Sequence, residues 1–337
     1  MKISIIICCF NSADRITQTL KHCANMAQSC LPADQWEIIV VDNNSSDNTQ
    51  MIARLALNEP ACSALRIVKE GRQGLAYARR TGVLASRGEF ICFIDDDNLP
   101  SEDYFPEIIR IFENEPNIGL IGVSTRLPTG SRFPDDVQVH ATSYAVGRQY
   151  DQSGRLDHGS SVWGAGMACR AAVIIRLYCF GFVPILSGRA GKSQLAGDDT
   201  ELCLAINLAG YDGWYQDSAQ IVHAIDPRRM NPVTLRKMIS GFCASRPIIS
   251  RYAKIANGMA LARTVGFVPI YYLSTAIQIT KLTCISLKKR AEKSSDMDLL
   301  WPRVRGLFIG CLLLTKKYRT QSVNVKRIDI VKSTFKE

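Results

Sequence analysis

Residues Phe90–Asn98 read FICFIDDDN: an apolar, strand-like run that closes on three consecutive aspartates, Asp95, Asp96 and Asp97. Adjacent carboxylates repel one another, and none is buried unpaired without a large cost. A buried strand with such an end either emerges as an exposed acidic turn or presents the acids to something cationic. Hard divalent cations take oxygen ligands, and Mg²⁺ or Mn²⁺ is commonly shared between one or two carboxylates and substrate phosphates. Side chains alternate along a strand, so Asp95 and Asp97 are predicted to point one way and Asp96 the other.

The flanking sequence predicts strands alternating with helices. Lys2–Phe10 and Trp36–Val41 are β-branched apolar runs, and Leu65–Lys69 is a shorter one; Ala13–Gln28, Asp47–Leu57 and Leu75–Ala85 have helical spacing. This alternation with short polar turns predicts an α/β fold with a doubly wound, mostly parallel sheet, Rossmann-like in its first half. Ligands of such sheets bind beyond the carboxyl ends of the strands. Asn11–Ser12, Asp42–Asn44 and Asp95–Asp97 all fall at those ends, so three polar clusters are predicted to converge on one edge.

The chain has 337 residues, is 47% hydrophobic and carries twelve cysteines with no CxxC pair and no Cys/His cluster. That usage predicts reduced, mostly buried thiols and no zinc site. The opening MKISIIICCF reads as a first strand rather than a secretion signal, since its apolar run ends at Asn11 without a cleavage-type site. The formal charge is +10, yet fourteen Lys/Arg against five Asp/Glu lie from Lys281 onward, so the basic character belongs to the tail. Charge beside apolar segments suits an anionic membrane surface, and no RNP-like, helix-turn-helix or zinc-finger signature favours nucleic acid. Thr264–Leu287 is interrupted by Pro269 and Lys281, and the apolar run Val304–Thr315 is short. Neither has the roughly 20 apolar residues of a spanning helix, which predicts in-plane or re-entrant association or a buried helix pair. From Val233 onward no further site-like cluster is visible.

In the second part, WGAGMACRAAVI (Trp163–Ile174) reads as a glycine turn entering a helix, and AGDDTELCLAINLAGY (Ala196–Tyr211) as a helix opened by Asp198 and Asp199. Acids there are favoured by the helix dipole, so capping alone explains them as well as catalysis does. GRAGKS (Gly188–Ser193) fails the Walker A spacing because Leu186 stands where its first glycine belongs; it reads as a loop whose Arg189 or Lys192 could meet phosphate. His223, in IVHAIDPRR, is a strand-end histidine or a metal ligand; Arg228 and Arg229 behind it are diphosphate contacts or solvated charges.

These stretches, with SIIICCFNSADRI (Ser4–Ile16), IIVVDNNSSDNT (Ile38–Thr49) and GLAYARRTGVLASRGEFICFIDDDNLP (Gly74–Pro100), resemble the family 2 glycosyltransferases, inverting nucleotide-sugar enzymes of GT-A fold. The resemblance covers about the first 225 residues. It implies a glycosyltransferase domain over 1–225, with a nucleotide-sugar half (1–100) and an acceptor half (101–225), followed by a helical basic tail, 226–337. It implies donor-nucleotide roles for Asn11, Asp42, Gly74, Arg79, Asp95 and Asp96. Metal ligation falls to Asp97, Asp95 and His223, with Mn²⁺ or Mg²⁺ as cofactor. Asp199 falls on the catalytic base, Asp198 stands where the family has Glu, and Trp163 and Gly164 line the acceptor side. Arg80 stands where the family usually has Asn. The implied partners are a nucleotide sugar, with UDP as the usual nucleotide, and a glycan or lipid-linked acceptor of cell-surface polysaccharide synthesis. The implied place is cytoplasmic, on the inner face of the cell membrane. Two other readings are a sugar nucleotidyltransferase and a catalytically silent nucleotide-sugar-binding protein; the first lacks its lysine-bearing Gly-rich loop after Phe10.

Overall fold

Buried strands that read as unbroken apolar runs need cover on both faces, and the chain supplies it. In the computed structural model, which describes residues 1–188, 195–264, 266–291 and 299–335, nine strands form one sheet. The strands are β1 (Ile3–Cys9), β2 (Trp36–Asp42), β3 (Leu65–Lys69), β4 (Phe90–Asp95), β5 (Asn98–Pro100), β6 (Ile118–Arg126), β7 (Gly154–Arg155), β8 (Ala168–Arg170) and β9 (Asp212–His223). Their order is β3-β2-β1-β4-β8-β6-β9-β5, with β7 paired to β9. β3, β2, β1 and β4 run parallel; β8 enters antiparallel between β4 and β6, and β9 is parallel to β6. Six strands therefore share one direction, with the short β5, β7 and β8 opposed to them.

The alternation of β1 divides the core. Ile3, Ile5 and Ile7 pack on one face with Ile16, Leu20 and Cys23 of α1 (Ile16–Cys30) and Phe105 and Ile108 of α4 (Tyr104–Asn114). The helix α2 (Thr49–Leu55) covers the same side through Ala53. Ile6, Ile39 and Phe93 face the other way, toward α3 (Leu75–Ala85), α6 (Ala171–Cys179) and α7 (Asp198–Leu208). A short helix, α5 (Asp135–Gln138), lies between β6 and β7.

Three helices follow the sheet: α8 (Pro232–Ala256), α9 (Phe267–Ala291) and α10 (Leu300–Thr334). Pro232 opens α8, and the Asn231 side chain accepts the Thr234 N–H at 2.9 Å, an N-cap that ends the loop leaving β9. Pro269 falls in the first turn of α9, where its missing N–H costs nothing, so the interruption read in the sequence is a helix start. Gly306 and Gly310 bring α10 against α8; a Cβ on Gly310 would lie 2.6 Å from the Ala244 carbonyl. Ile248, Tyr252, Leu314 and Ile328 of these helices are fully buried in the same core as α7. No helix among the described residues is long and apolar enough to cross a membrane.

Candidate active site

The end of β4 distributes its three acids. Asp95 turns toward Arg79, its Oδ1 4.0 Å from Nη2. Asp96 turns back toward α1, where it accepts from the Ser12 hydroxyl and, at 2.9 Å, from Arg15 Nη2. Burial pushes its carboxyl up, and Arg15 opposes that shift only in part. Asp97 leads into β5, and the β5–β9 register sets Asn98 opposite His223, bringing the histidine beside the acid. His223 Nε2 lies 3.5 Å from Asp97 Oδ1, and Arg229 Nη1 lies 3.3 Å from Oδ2. Burial alone would raise the Asp97 carboxyl, but the His223 hydrogen bond and the charges of His223, Arg229 and Arg15 hold it below the usual range. His223 Nδ1 sits 3.4 Å from the Ala145 carbonyl, which can only accept. That contact orients the ring so that Nε2 faces Asp97.

A second cluster meets the first through Arg79, which is 4% exposed and reaches from α3 across the sheet edge. Its Nη1 donates to Asp198 Oδ2 at 2.7 Å. Burial, joined by the neighbouring Asp199 charge and opposed by Arg79, pushes the Asp198 carboxyl up to about 6. Asp199 instead faces Gly164, whose N–H donates to Oδ2 at 2.9 Å, while the Thr200 N–H donates to Oδ1 at 2.7 Å. A Cβ on Gly164 would collide with the Arg79 guanidinium, so any larger residue there must displace that side chain. Trp163 donates its backbone N–H to Gln149 Oε1 at 2.7 Å. Gly197, at φ 97°, gives α7 its left-handed N-cap and so aims both acids at the cleft.

These groups line one cavity of about 520 Å³, within the size range of small-molecule sites. Asp95, Asp96, Asp97, Arg79, Gly74, Trp163, Gly164, Asp198, Asp199, His223 and Arg229 all contribute to its wall. Asn11 and Asp42 do not. Asn11 adopts φ 51° and accepts the Ser46 N–H at 2.8 Å, and Asp42 accepts from Ser45 N–H and the Gln50 side chain. In their place Asn43 reaches the wall and accepts the Gly74 N–H at 2.8 Å, fixing the turn into α3. Arg228 turns away to Asp226, and Arg189 and Lys192 lie outside the described residues. Burial lifts the Cys8 thiol at the cavity wall to about 12, which keeps it protonated and disarms it as a nucleophile.

The tail is not devoid of site residues. Phe242, Ser245 and Ile249 of α8 complete the cavity beside Gly197, and their helical spacing resembled an ordinary core face in the sequence. Glu201, in the first turn of α7, carries no signal in the sequence beyond that of a helix acid. It is 1% exposed and accepts the Ile185 and Leu186 N–H groups at 2.9 and 2.8 Å. Burial raises its carboxyl to about 8, against those bonds and one from the Tyr252 hydroxyl. Tyr252 in turn accepts from Asn324 Nδ2 at 3.1 Å, and Asn324 also binds the Val183 backbone in both directions. The chain Glu201–Tyr252–Asn324 thus ties α7 to α8 and α10.

Asp97 and His223 together offer a carboxylate oxygen and an imidazole nitrogen, a donor pair suited to Mn²⁺ and tolerable to Mg²⁺. Among the described residues no group of three or more His, Cys, Asp and Glu converges into a self-sufficient metal cage. An ion here would draw its remaining ligands from phosphate or water, as Mg²⁺ sites at substrate phosphates do.

The acid-ended parallel sheet, with an acid-opened helix across one cleft, is the arrangement of the GT-A class of α/β proteins. Residues 4–177 match the profile of glycosyl transferase family 2, and the chain belongs to that family. It is similar to an uncharacterized glycosyltransferase YfnE of Bacillus subtilis, at 33% identity over 36% of this chain and 30% of the relative. It is also similar to the glycosyltransferase AglE of Haloferax volcanii, at 35% identity over 30% of this chain and 32% of the relative. The chain spans about a third of the length of these curated relatives. Its fold is similar to that of the mannosyltransferase PcManGT from Pyrobaculum calidifontis in complex with GDP-Man and Mn²⁺. That match has TM-score 0.55 and 17% identity and covers 100% of this chain and 88% of the other. The profile match stops short of α7, so it does not reach Asp198 and Asp199.

Proposed function

We propose that the protein transfers a hexosyl unit from a nucleoside-diphosphate sugar to an acceptor hydroxyl with inversion. A UDP-sugar donor and a polysaccharide or lipid-linked acceptor of cell-surface polysaccharide synthesis are the substrate classes. The observation that carries the reading is the meeting, in one cavity, of the Asp97–His223 pair with the Asp199 carboxylate. Mn²⁺ or Mg²⁺, held by Asp97 and His223 with Asp95 beside them, would supply Lewis-acid neutralisation of the departing diphosphate. The Mn²⁺ and GDP-Man bound by the similarly folded mannosyltransferase support that cofactor and a nucleoside-diphosphate-sugar donor, though not the choice of UDP.

In this reading Arg229 and Arg79 place fixed positive charge around the diphosphate, and Gly74 lets backbone approach it. Asp199 takes the proton of the acceptor hydroxyl as that oxygen bonds the anomeric carbon. The bond to the diphosphate oxygen breaks on the opposite face, and its electron pair leaves with the nucleotide. Arg79 neutralises Asp198 so that a second carboxylate can sit beside the base. Trp163 and the α8 side chains form the acceptor wall. The protein works in the cytoplasm, peripherally on the inner face of the cell membrane, with 1–225 as the transferase domain and 226–337 as its helical extension.

The test measures nucleotide release and product anomer with a panel of nucleotide sugars, with and without EDTA. Transfer that is lost on chelation and on Asp199→Asn, with donor binding kept in that variant, supports the proposal. Indifference to chelation refutes the metal, pyrophosphate release from a nucleoside triphosphate makes the protein a nucleotidyltransferase, and donor binding without turnover makes it a silent binder.

A further inference from the structure

The two last helices keep an apolar face in water. On α9, Ile270, Leu273 and Ile277 are 48%, 64% and 50% exposed, at spacings that place them on one side. On α10, Trp301, Phe308 and Leu312 are 75%, 64% and 47% exposed, again along one stripe. The opposite sides of both helices, Tyr271 and Thr275 on α9 and Leu307, Cys311 and Leu314 on α10, are buried, so the exposed sides are not an error of amphipathicity. A hydrogen bond of 2.9 Å between Tyr272 and Thr315 joins the helices beside the two stripes. Contiguous apolar surface of this kind marks an interaction site.

Charge says what kind. Arg305, Lys316 and Arg319 are exposed along the same side of α10. Between α8 and α9 runs a groove of about 440 Å³ in which Arg246, Lys254 and Lys281 stand among hydroxyl and amide side chains, and among the described residues no acid lines it. Ile277 borders both the groove and the apolar face. An exposed tryptophan, aliphatic side chains and cations with no acid beside them among the described residues of the groove match the interface of a bilayer with anionic headgroups.

We infer that the exposed face of α9 and α10, with the basic groove at its edge, docks in plane on an anionic membrane surface. The inference gives a physical surface to the membrane placement proposed above and is independent of the transfer chemistry. It also orients the molecule: Ser245 of α8 faces the active-site cavity while the next residue, Arg246, faces the groove, so docking sets the cleft close to the bilayer.

The experiment is co-sedimentation of the full chain with vesicles of phosphatidylcholine, with and without phosphatidylglycerol, in the absence of donor and acceptor. Binding is expected only with phosphatidylglycerol, weakening as salt is added. Arg246→Ser/Lys281→Ser should lower partition by about thirtyfold, at roughly 1 kcal/mol per cation. Trp301→Glu/Phe308→Glu/Leu312→Glu should abolish it while nucleotide-sugar binding in solution persists. Wild-type protein that ignores both vesicles, or variants that bind as wild type does, overturn the inference. A concentration-dependent dimer lost in the triple variant, without vesicle binding by the wild type, assigns the face to a second copy instead. Because no turnover is read, failure of the transfer proposal would leave this result standing.

Discussion

Replacing Arg79 by methionine keeps the apolar stem of the side chain and removes its charge. The guanidinium is 4% exposed and its partner Asp198 has a side chain 8% exposed at 2.7 Å, so solvent cannot replace the lost cation. Two unit charges at that separation attract by about 6 kcal/mol at an effective dielectric of 20. Part of this was already offset by desolvation, and removing one member of a buried pair costs about 3–5 kcal/mol in practice. Urea denaturation followed by tryptophan fluorescence should therefore show a loss of that size above neutral pH. The loss should shrink on acidification. Asp198, already at about 6, rises further without Arg79. A carboxyl whose folded value is raised favours folding fully below its unfolded value and loses that contribution as pH climbs through the folded value. Adding Asp198→Asn should restore most of the stability, because a neutral amide needs no counterion. An Arg79→Met loss under about 1 kcal/mol in alkaline buffer, or no recovery in the double variant, would refute the reasoning.

Gly164→Ala should cost transfer activity more than it costs donor binding, because the new methyl displaces Arg79 and turns the N–H that holds Asp199; kcat and KM measured separately decide it. Asp97→Asn should weaken Mn²⁺ binding, read by electron paramagnetic resonance with nucleoside diphosphate present, by at least about tenfold, as loss of a charged ligand does; unchanged affinity would remove the metal from this acid. Glu201→Gln should flatten the pH dependence of stability. In the wild type the buried carboxyl, raised to about 8 from 4.5, makes the protein progressively less stable as pH rises across that window, and the amide does not titrate.

The parallel half of the sheet was legible because each of its strands is a local event. ISIIICC, WEIIVVD and FICFID are apolar runs ended by polar residues, and the helices between them show their buried positions at regular spacing. The strands β5, β7 and β8, two or three residues long, carry too little pattern to be read and exist only through their partners. The triplet's alternation separated Asp96 from its neighbours, but only tertiary contact with Arg15, eighty-one positions away, shows where Asp96 is held. The Arg79–Asp198 pair, 119 residues apart, is equally silent in the sequence, as is the close approach of Arg79 to Gly164. Strand-end position and the family resemblance grouped Asp42 and Asn11 with the acids; in the structure both side chains accept backbone N–H groups of the turn after β2. The wall provided by α8 was masked because Phe242, Ser245 and Ile249 fit a helix core as well as a cavity.

The Glu201–Tyr252–Asn324 chain makes the tail a structural creditor of the catalytic turn. A minimal protein ended at the last strand would retain every residue of the family match, yet would bury a carboxylate stripped of its phenol donor and leave the Val183–Gly188 segment without its anchor on α10. Exchange of C-terminal helices between related proteins would likewise alter the seat of Asp198 and Asp199 without touching either one. The boundary at which sequence similarity fades is therefore not a boundary at which the molecule can be cut.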